Sequence, residues 1–204
     1  RNYTGVELVM TKYKTTNWFG QASYTYNSAK GNTNSDSNAD YQGDWIALDP
    51  RAPNAYGPTP GNIKHQFKAY GSYDFPFGLQ ASGVFNWNSG AIYTPAQAVS
   101  RRYFAPMSSG YEFGGVTDTW YLPGGIGSAK APSYYTFDMR FKYEHAVPGL
   151  GGKAEFFLDV FNILDKQSTT DVQKLIAGNG ITDLGEGTNW VAPRRAYLGV
   201  RYSF

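Results

Sequence analysis

Between Tyr135 and Glu144 the chain alternates without a break. Tyr135, Phe137, Met139, Phe141 and Tyr143 are apolar, while Thr136, Asp138, Arg140, Lys142 and Glu144 between them are polar or charged. Period two is the repeat of an extended strand, so a strand here carries one apolar and one polar face. Six further segments read the same way. The first is led by Val6, Leu8 and Met10, the second by Trp18, Gly20, Ala22, Tyr24 and Tyr26. The third carries Ile63, His65, Phe67, Ala69 and Tyr73, and the fourth Leu79, Ala81, Phe85 and Trp87. After the Tyr135 segment come Ala154, Phe156, Leu158 and Val160, then Leu198, Val200, Tyr202 and Phe204. Helical periodicity is almost absent, and no apolar run approaches the ~20 residues of a transmembrane helix.

The connections decide what kind of sheet these strands build. Short links fall at Lys14–Asn17, at Asp74-Phe75-Pro76-Phe77-Gly78 and at Val147-Pro148-Gly149-Leu150. Long polar stretches fall between them, at Asn27–Asn62, Gly90–Ser133 and Asp165–Pro193. Structureless loops of that size are uncommon in a compact soluble domain. Strict short–long alternation is what a transmembrane β-barrel with tight turns on one side and extended outer loops on the other produces. Segments of about ten residues are long enough to cross its apolar band. The expected fold is therefore all-β: antiparallel strands of a barrel wall, with the long segments extracellular and the C-terminus at the periplasmic side.

Composition agrees. Aromatics reach 17 % of the chain, suited to aromatic girdles at membrane boundaries and opposed to disorder. The formal net charge of +2 gives no bias towards nucleic acid. There is no cysteine, so no disulfide framework and no thiolate metal site. Seven strands counted back from a periplasmic C-terminus put Arg1 at the extracellular end. Bacterial barrels have even strand numbers. Residues 1–204 are thus expected to be the C-terminal part of a larger barrel, with the remaining strands and any plug N-terminal to them.

Charge suggests a register for the fifth and sixth strands. If Pro148-Gly149 form the centre of a tight turn, Phe141 faces Phe156, Met139 faces Leu158, Lys142 faces Glu155 and Glu144 faces Lys153. A shift by two one way sets Glu144 against Glu155, and the other way Lys142 against Lys153. A Gly-rich bulge at Gly151-Gly152 is the feature that would displace this register.

At the C-terminus, Arg194-Arg195-Ala196-Tyr197-Leu198-Gly199-Val200-Arg201-Tyr202-Ser203-Phe204 resembles the closing strand of TonB-dependent outer-membrane receptors. Its Gly199…Tyr202…Phe204 spacing resembles the signal read by the barrel-assembly machinery. Phe156-Phe157-Leu158-Asp159-Val160-Phe161-Asn162-Ile163-Leu164-Asp165 resembles the penultimate strand of the same receptors. Lys64-His65-Gln66-Phe67, Asp74-Phe75-Pro76-Phe77-Gly78 and Asn88-Ser89-Gly90 are similar to the Oar-like branch. The resemblance implies the last third or less of a 22-stranded barrel that actively imports a bulky ligand. Its implied partners are outer-membrane lipid and lipopolysaccharide, the assembly machinery, a transported ligand, and TonB through an N-terminal region. Neither cofactor nor catalysis is implied. A passive porin or efflux-type barrel and a soluble carbohydrate-binding β-sandwich are the alternatives. Upstream plug sequence separates receptor from porin, and detergent-free solubility would mark the sandwich.

Several residues are candidates for chemistry. Arg140, Lys142, Glu155, Asp159 and Arg201 are expected to line the lumen, although charge pairing along the wall accounts for them equally. The loop aromatics Tyr41, Trp45, Tyr103, Tyr111, Trp120 and Trp190, with Tyr56, Phe104, Phe113 and Tyr121, can grip a ligand or pack the loops together. Asn32, Asn34, Asp36, Asn38, Asp40 and Asp44 form an oxygen-rich stretch without EF-hand spacing, so a solvated loop is favoured over a Ca²⁺ site. His65 and His145 fall near opposite rims, which argues against a shared metal site or a Ser–His pair. Deleting Phe204 is expected to lower outer-membrane levels of the full-length protein without lowering synthesis. Fractionation against a pulse-labelled control checks this, and normal membrane levels would remove the assembly role.

Overall fold

The computed structural model describes residues 1–32, 51, 55–100, 117–121, 124–149, 151–176 and 183–204. In chain order, β1 (Asn2–Lys12) and β2 (Trp18–Gly31) precede the short β3 (Gly57–Pro58), and β4 (His65–Asp74) and β5 (Leu79–Asn88) follow. The second long segment contributes β6 (Ile92–Tyr93), β7 (Ala96–Ser100), β8 (Thr117–Tyr121) and β9 (Ala129–Lys130). Next come β10 (Tyr134–Val147) and β11 (Gly152–Phe161). The third long segment holds β12 (Thr169–Val172) and β13 (Gly187–Trp190), and β14 (Arg195–Ser203) closes the chain.

Seven of these build one antiparallel meander in the order β1-β2-β4-β5-β10-β11-β14. Each wall strand pairs with the next wall strand in sequence, so the three long segments all leave from the same end. No Greek-key crossing occurs within the wall. The short turns follow their residues. At Phe75-Pro76-Phe77-Gly78 the Gly78 amide donates to the Phe75 carbonyl, and Gly78 holds φ +90°. Proline fixes the first central position of that turn, and glycine supplies the left-handed residue that closes it.

Directly opposed residues of an antiparallel pair point to the same face, and the registers keep the faces apart across the whole wall. One row runs Lys12–Gly20–Gly71–Gly83–Met139–Val160–Ala196 through all seven strands. The row beside it runs Trp18–Tyr73–Ala81–Phe141–Leu158–Leu198. Aromatics gather at both rims of this apolar face. Tyr73, Phe75 and Phe77 follow one another at the short-turn rim, with ring centroids 4.8 and 5.4 Å apart. Tyr26 and His65, Phe67 and Phe85, and Phe85 and Tyr135 do the same towards the long segments. Small residues and aliphatics occupy the band between.

This face has no cover among the described residues. Val200 is 63 % and Leu198 80 % exposed, while Tyr135, Phe137, Met139 and Phe141 are half-buried against their own strand neighbours. A sandwich would bury these side chains against a second sheet. The buried residues lie instead at the long-segment end: Ala29, Ala55, Ile92, Ala96, Ile126, Ala131 and Val172. There the long segments are not featureless. β3 adds to β2, β6 pairs with β9, β7 with β8, and β12 with β13. The Ile92 amide donates to Asn62 and the Ile176 amide to Ala96, which ties the first segment to the second and the second to the third.

One expected register is corrected. Phe141 faces Leu158 rather than Phe156, and Glu144 faces Glu155 rather than Lys153. Pro148–Gly151 lie between the paired Val147 and Gly152, with Gly151 at φ +71°, so the glycine pair lengthens the turn and slides the strand by two residues. The chain's lack of cysteine makes the register directly testable. In the full-length protein, Phe141→Cys with Leu158→Cys should oxidise to a disulfide about tenfold faster than Phe141→Cys with Phe156→Cys, because only the first pair brings its Cβ atoms within bridging reach. Gel mobility after mild oxidation reads the difference, and the opposite order would restore the expected register.

Candidate functional site

The polar face of the wall concentrates its charge on β10, β11 and β14. Arg140 stands opposite Asp159 and binds it through two parallel hydrogen bonds, Nε to Oδ1 at 2.5 Å and Nη2 to Oδ2 at 2.6 Å. The planar guanidinium matches a carboxylate in this two-point geometry, which fixes orientation as well as distance. The same guanidinium lies 5.2 Å from the centroid of the Phe157 ring. Towards the short turns, Lys142 Nζ donates to Glu144 Oε1 at 2.9 Å and lies 3.7 Å from Glu155 Oε2. Arg201 stands opposite Glu155 on its other side. Each acid of the juxtaposed Glu144–Glu155 pair therefore has a cation beside it. Nearer the rim, Lys14 pairs with Asp74, whose Oδ1 also accepts from Gln80 Nε2 at 2.6 Å.

The five expected lumen-lining residues, Arg140, Lys142, Glu155, Asp159 and Arg201, thus share one face and one cluster. Phe157 intrudes on that polar face, directly opposite Gly199. A Cβ at position 199 would lie 2.2 Å from Phe157 Cζ, so only glycine leaves room for the ring. Gly199 therefore has a packing reason to be glycine, independent of any role in assembly. Tyr202 and Phe204 lie on the apolar face at the end of β14, their rings 6.3 Å apart.

Asn162 is a residue whose role the sequence did not reveal. It is 4 % exposed and left-handed, with φ 49°. Its amide donates to Asp138 Oδ1 at 2.7 Å, and its side chain donates to Ala192 O at 2.8 Å. Asp165, also left-handed at φ 53°, accepts from the Arg194 amide at 2.9 Å. Together they lock the exit of β11 to the entry of β14. The signal was present in the Asn162-Ile163-Leu164-Asp165 spacing, since Asn and Asp tolerate the left-handed region.

Of the candidate ligand-gripping aromatics, Tyr41, Trp45, Tyr103 and Tyr111 lie outside the described residues, as do Phe104 and Phe113. The Trp120 backbone pairs with Gln97, and its side chain lies outside the described part. Trp190 on β13 and Tyr56 are each 54 % exposed at the long-segment end. The acidic stretch from Asn34 to Asp44 also lies outside the described residues. His65 accepts or donates at Nδ1 to the Tyr24 hydroxyl, 2.7 Å away, on the apolar face, and His145 sits near the opposite rim. The two histidines do not converge.

No protein-family model matches the chain, and no curated protein does. Solved structures do match. FpvA of P. aeruginosa, described as bound to heterologous pyoverdines and here in an iron complex, aligns over 99 % of this chain and 19 % of its own, at 16 % identity and a TM-score of 0.51. YddB, an outer membrane transporter from Escherichia coli, aligns over 97 % of this chain and 24 % of its own, at 13 % identity and a TM-score of 0.58. The chain shares the fold of a segment of each of these two proteins. The chain spans about a fifth to a quarter of these proteins' lengths, so the likeness extends to a stretch of wall.

The Phe157–Gly199 contact yields a double-mutant test. In the full-length protein, Gly199→Val should lower the thermal unfolding midpoint in detergent, consistent with overpacking costs of about 1–3 kcal/mol. Adding Phe157→Ala should return most of that loss, because the two changes share one contact. Strictly additive losses would mean that the Phe157 ring is not what excludes a side chain at position 199.

Proposed function

We propose that this chain is part of the barrel wall of a TonB-dependent outer-membrane receptor that imports a bulky ligand. The carrying observation is the partition of one open sheet. An apolar face with aromatic rims crosses all seven strands, a charged face lies behind it, and both edges are left for further strands. Among the described residues β1 pairs only with β2, and β14 only with β11. Unpaired edges are untenable in hydrocarbon, where every backbone group needs an internal partner. Closure by additional strands answers that need; the C-terminal motifs favour a 22-stranded receptor barrel with its plug N-terminal to residues 1–204, and the motifs at Lys64–Phe67, Asp74–Gly78 and Asn88–Gly90 favour its Oar-like branch.

On this reading Arg140, Lys142, Glu155, Asp159 and Arg201 line the lumen. Tyr41, Trp45, Tyr103, Tyr111, Trp120 and Trp190 meet the ligand on the extracellular side. Gly199, Tyr202 and Phe204 present the closing strand to the assembly machinery. The wall contacts phospholipid and lipopolysaccharide, and TonB acts through the N-terminal region. The chain supplies shape and charge to the passage; no bond is made or broken.

Two measurements on the full-length protein test this. It should fractionate with the outer membrane and migrate differently on gels before and after heating, as folded barrels do. Reconstituted in planar bilayers, it should stay closed to ions, because a plugged receptor requires energy coupling to open. A constitutive open-pore conductance would favour the passive porin instead, and recovery in the soluble fraction would end both readings.

A further inference from the structure

The apolar face is not uniform. Where β2, β4 and β5 cross its middle, Gly20, Ala22, Ala69, Gly71, Ala81 and Gly83 line up side by side. They form the floor of a trough of about 760 Å³. Trp18 and Tyr73 stand along its short-turn side, and Phe85 and Phe137 along its other side. The volume falls within the ~300–1,000 Å³ typical of sites that hold small molecules. It opens onto the face that the outer-membrane reading places in lipid, where water is not available to fill it.

The trough has a polar end and an apolar end. The floor row begins at Lys12 on β1 and ends at Met139 on β10, four strand spacings or about 19 Å away. Lys12 is the last residue of β1, whereas Gly20 lies two residues from the short-turn end of β2, Gly71 three from that of β4 and Gly83 four from that of β5. Met139 lies eight residues from the short-turn end of β10. The row thus starts at the rim and runs progressively deeper into the wall. At its shallow end the Lys12 ammonium sits 4.9 Å from the Trp18 ring centroid and donates to Tyr13 O at 2.7 Å and Thr15 Oγ1 at 2.8 Å. All three neighbours are uncharged, and among the described residues no carboxylate pairs with it. The result is a cation at the water boundary leading into an apolar channel that slopes towards the membrane interior.

We propose that this trough is a phospholipid site: an acyl chain lies along the glycine–alanine floor, and the headgroup phosphate pairs with Lys12. The inference rests on the outer-membrane reading, with the short-turn rim in the periplasmic, phospholipid leaflet. A partner protein's membrane segment would also fit a small-residue floor, which permits close backbone approach. The ammonium at the shallow end, which has no carboxylate partner among the described residues, favours the anionic headgroup.

Native mass spectrometry of the full-length protein, extracted from vesicles of equal phosphatidylglycerol and phosphatidylethanolamine, tests the site. The wild type should retain one phospholipid that the floor-filling variant Ala22→Leu/Ala69→Leu does not. It should also favour phosphatidylglycerol by about fivefold, the scale expected for one lysine facing an anionic lipid. Lys12→Gln, which leaves the floor intact, should keep the lipid and lose the preference. Equal retention by wild type and the filled variant would overturn the site, as would an unchanged preference in Lys12→Gln, recovery of lipopolysaccharide in place of phospholipid, or a dimer that the filled variant abolishes. Those results, on protein that inserts and is heat-modifiable, would leave the barrel reading standing. Wild type recovered from the soluble fraction would remove both.

Discussion

Inside hydrocarbon a backbone amide or carbonyl finds a partner on the next strand or goes without one. On the outer-membrane reading proposed above, that demand organises everything else in this chain. It makes the wall a continuous ladder, and it makes each pairing a commitment about faces. A slip of one residue between any two strands would mix the apolar and the charged face. The six wall pairings show no such slip, and so a single row of same-facing residues passes from Lys12 on β1 to Ala196 on β14. β1 and β14 each offer one side of their ladder to nothing within the described residues.

Slips of two residues are another matter, because they preserve the faces. Here the alternation of Tyr135–Glu144 was legible and the pairing was not. Judged from β10 and β11 alone, setting Glu144 opposite Glu155 looks unfavourable. That comparison omits Arg201, which stands opposite Glu155 on β14, and Lys142, which lies between the two acids. It also omits the gain elsewhere, since the observed register sets Arg140 squarely on Asp159 and frees Asp138 to cap the Asn162 amide. A strand inside a sheet has two neighbours, and charge counted across one of them does not settle its register. The turn then supplied the freedom, because Gly151 accepts a left-handed conformation that a tighter Pro148-Gly149 turn does not use.

The long segments were legible as connections and illegible as structure. Their strands run two to five residues, too short for alternation to show. Their buried residues are mostly small: Ala29, Ala55, Ala96 and Ala131, with Thr59 and Thr94. Such positions carry little hydrophobic signal, yet small side chains allow backbones to approach closely. Gly57 and Gly127 show how closely, since a Cβ at either would fall 2.2 Å from Ile126 O or 2.1 Å from Pro58 O. The candidate site was legible in proportion to its place in the wall. Arg140, Lys142, Glu155, Asp159 and Arg201 followed from alternation alone, whereas Phe157 and Asn162 acquire their meaning from partners distant in sequence.

Glycine does opposite work on the two faces of this wall, and the difference bears on how a barrel acquires features beyond its outline. On the polar face Gly199 is filled: Phe157 occupies the space that a side chain would take, and Arg140 lies over that ring. The glycine there completes a packed cluster. On the apolar face Gly20, Gly71 and Gly83 are adjacent to one another, so no large neighbour stands directly opposite to cover all three. Phe137 leans over Gly83 and Trp18 over Gly20, with nearest approaches to a built Cβ of 3.2 and 3.4 Å, but these rings wall the trough rather than fill it. At Gly71 a Cβ would fall 2.6 Å from the Phe19 carbonyl oxygen, so the close approach of β2 and β4 itself requires glycine there, whereas the neighbouring row carries Leu158 and Leu198. Glycine weakens a strand interior and leaves apolar contact unmade. The ladder accounts for Gly71, whereas at Gly20 and Gly83 the nearest atoms belong to the rings that wall the trough, so these two glycines keep open a floor that begins at the rim beside Lys12.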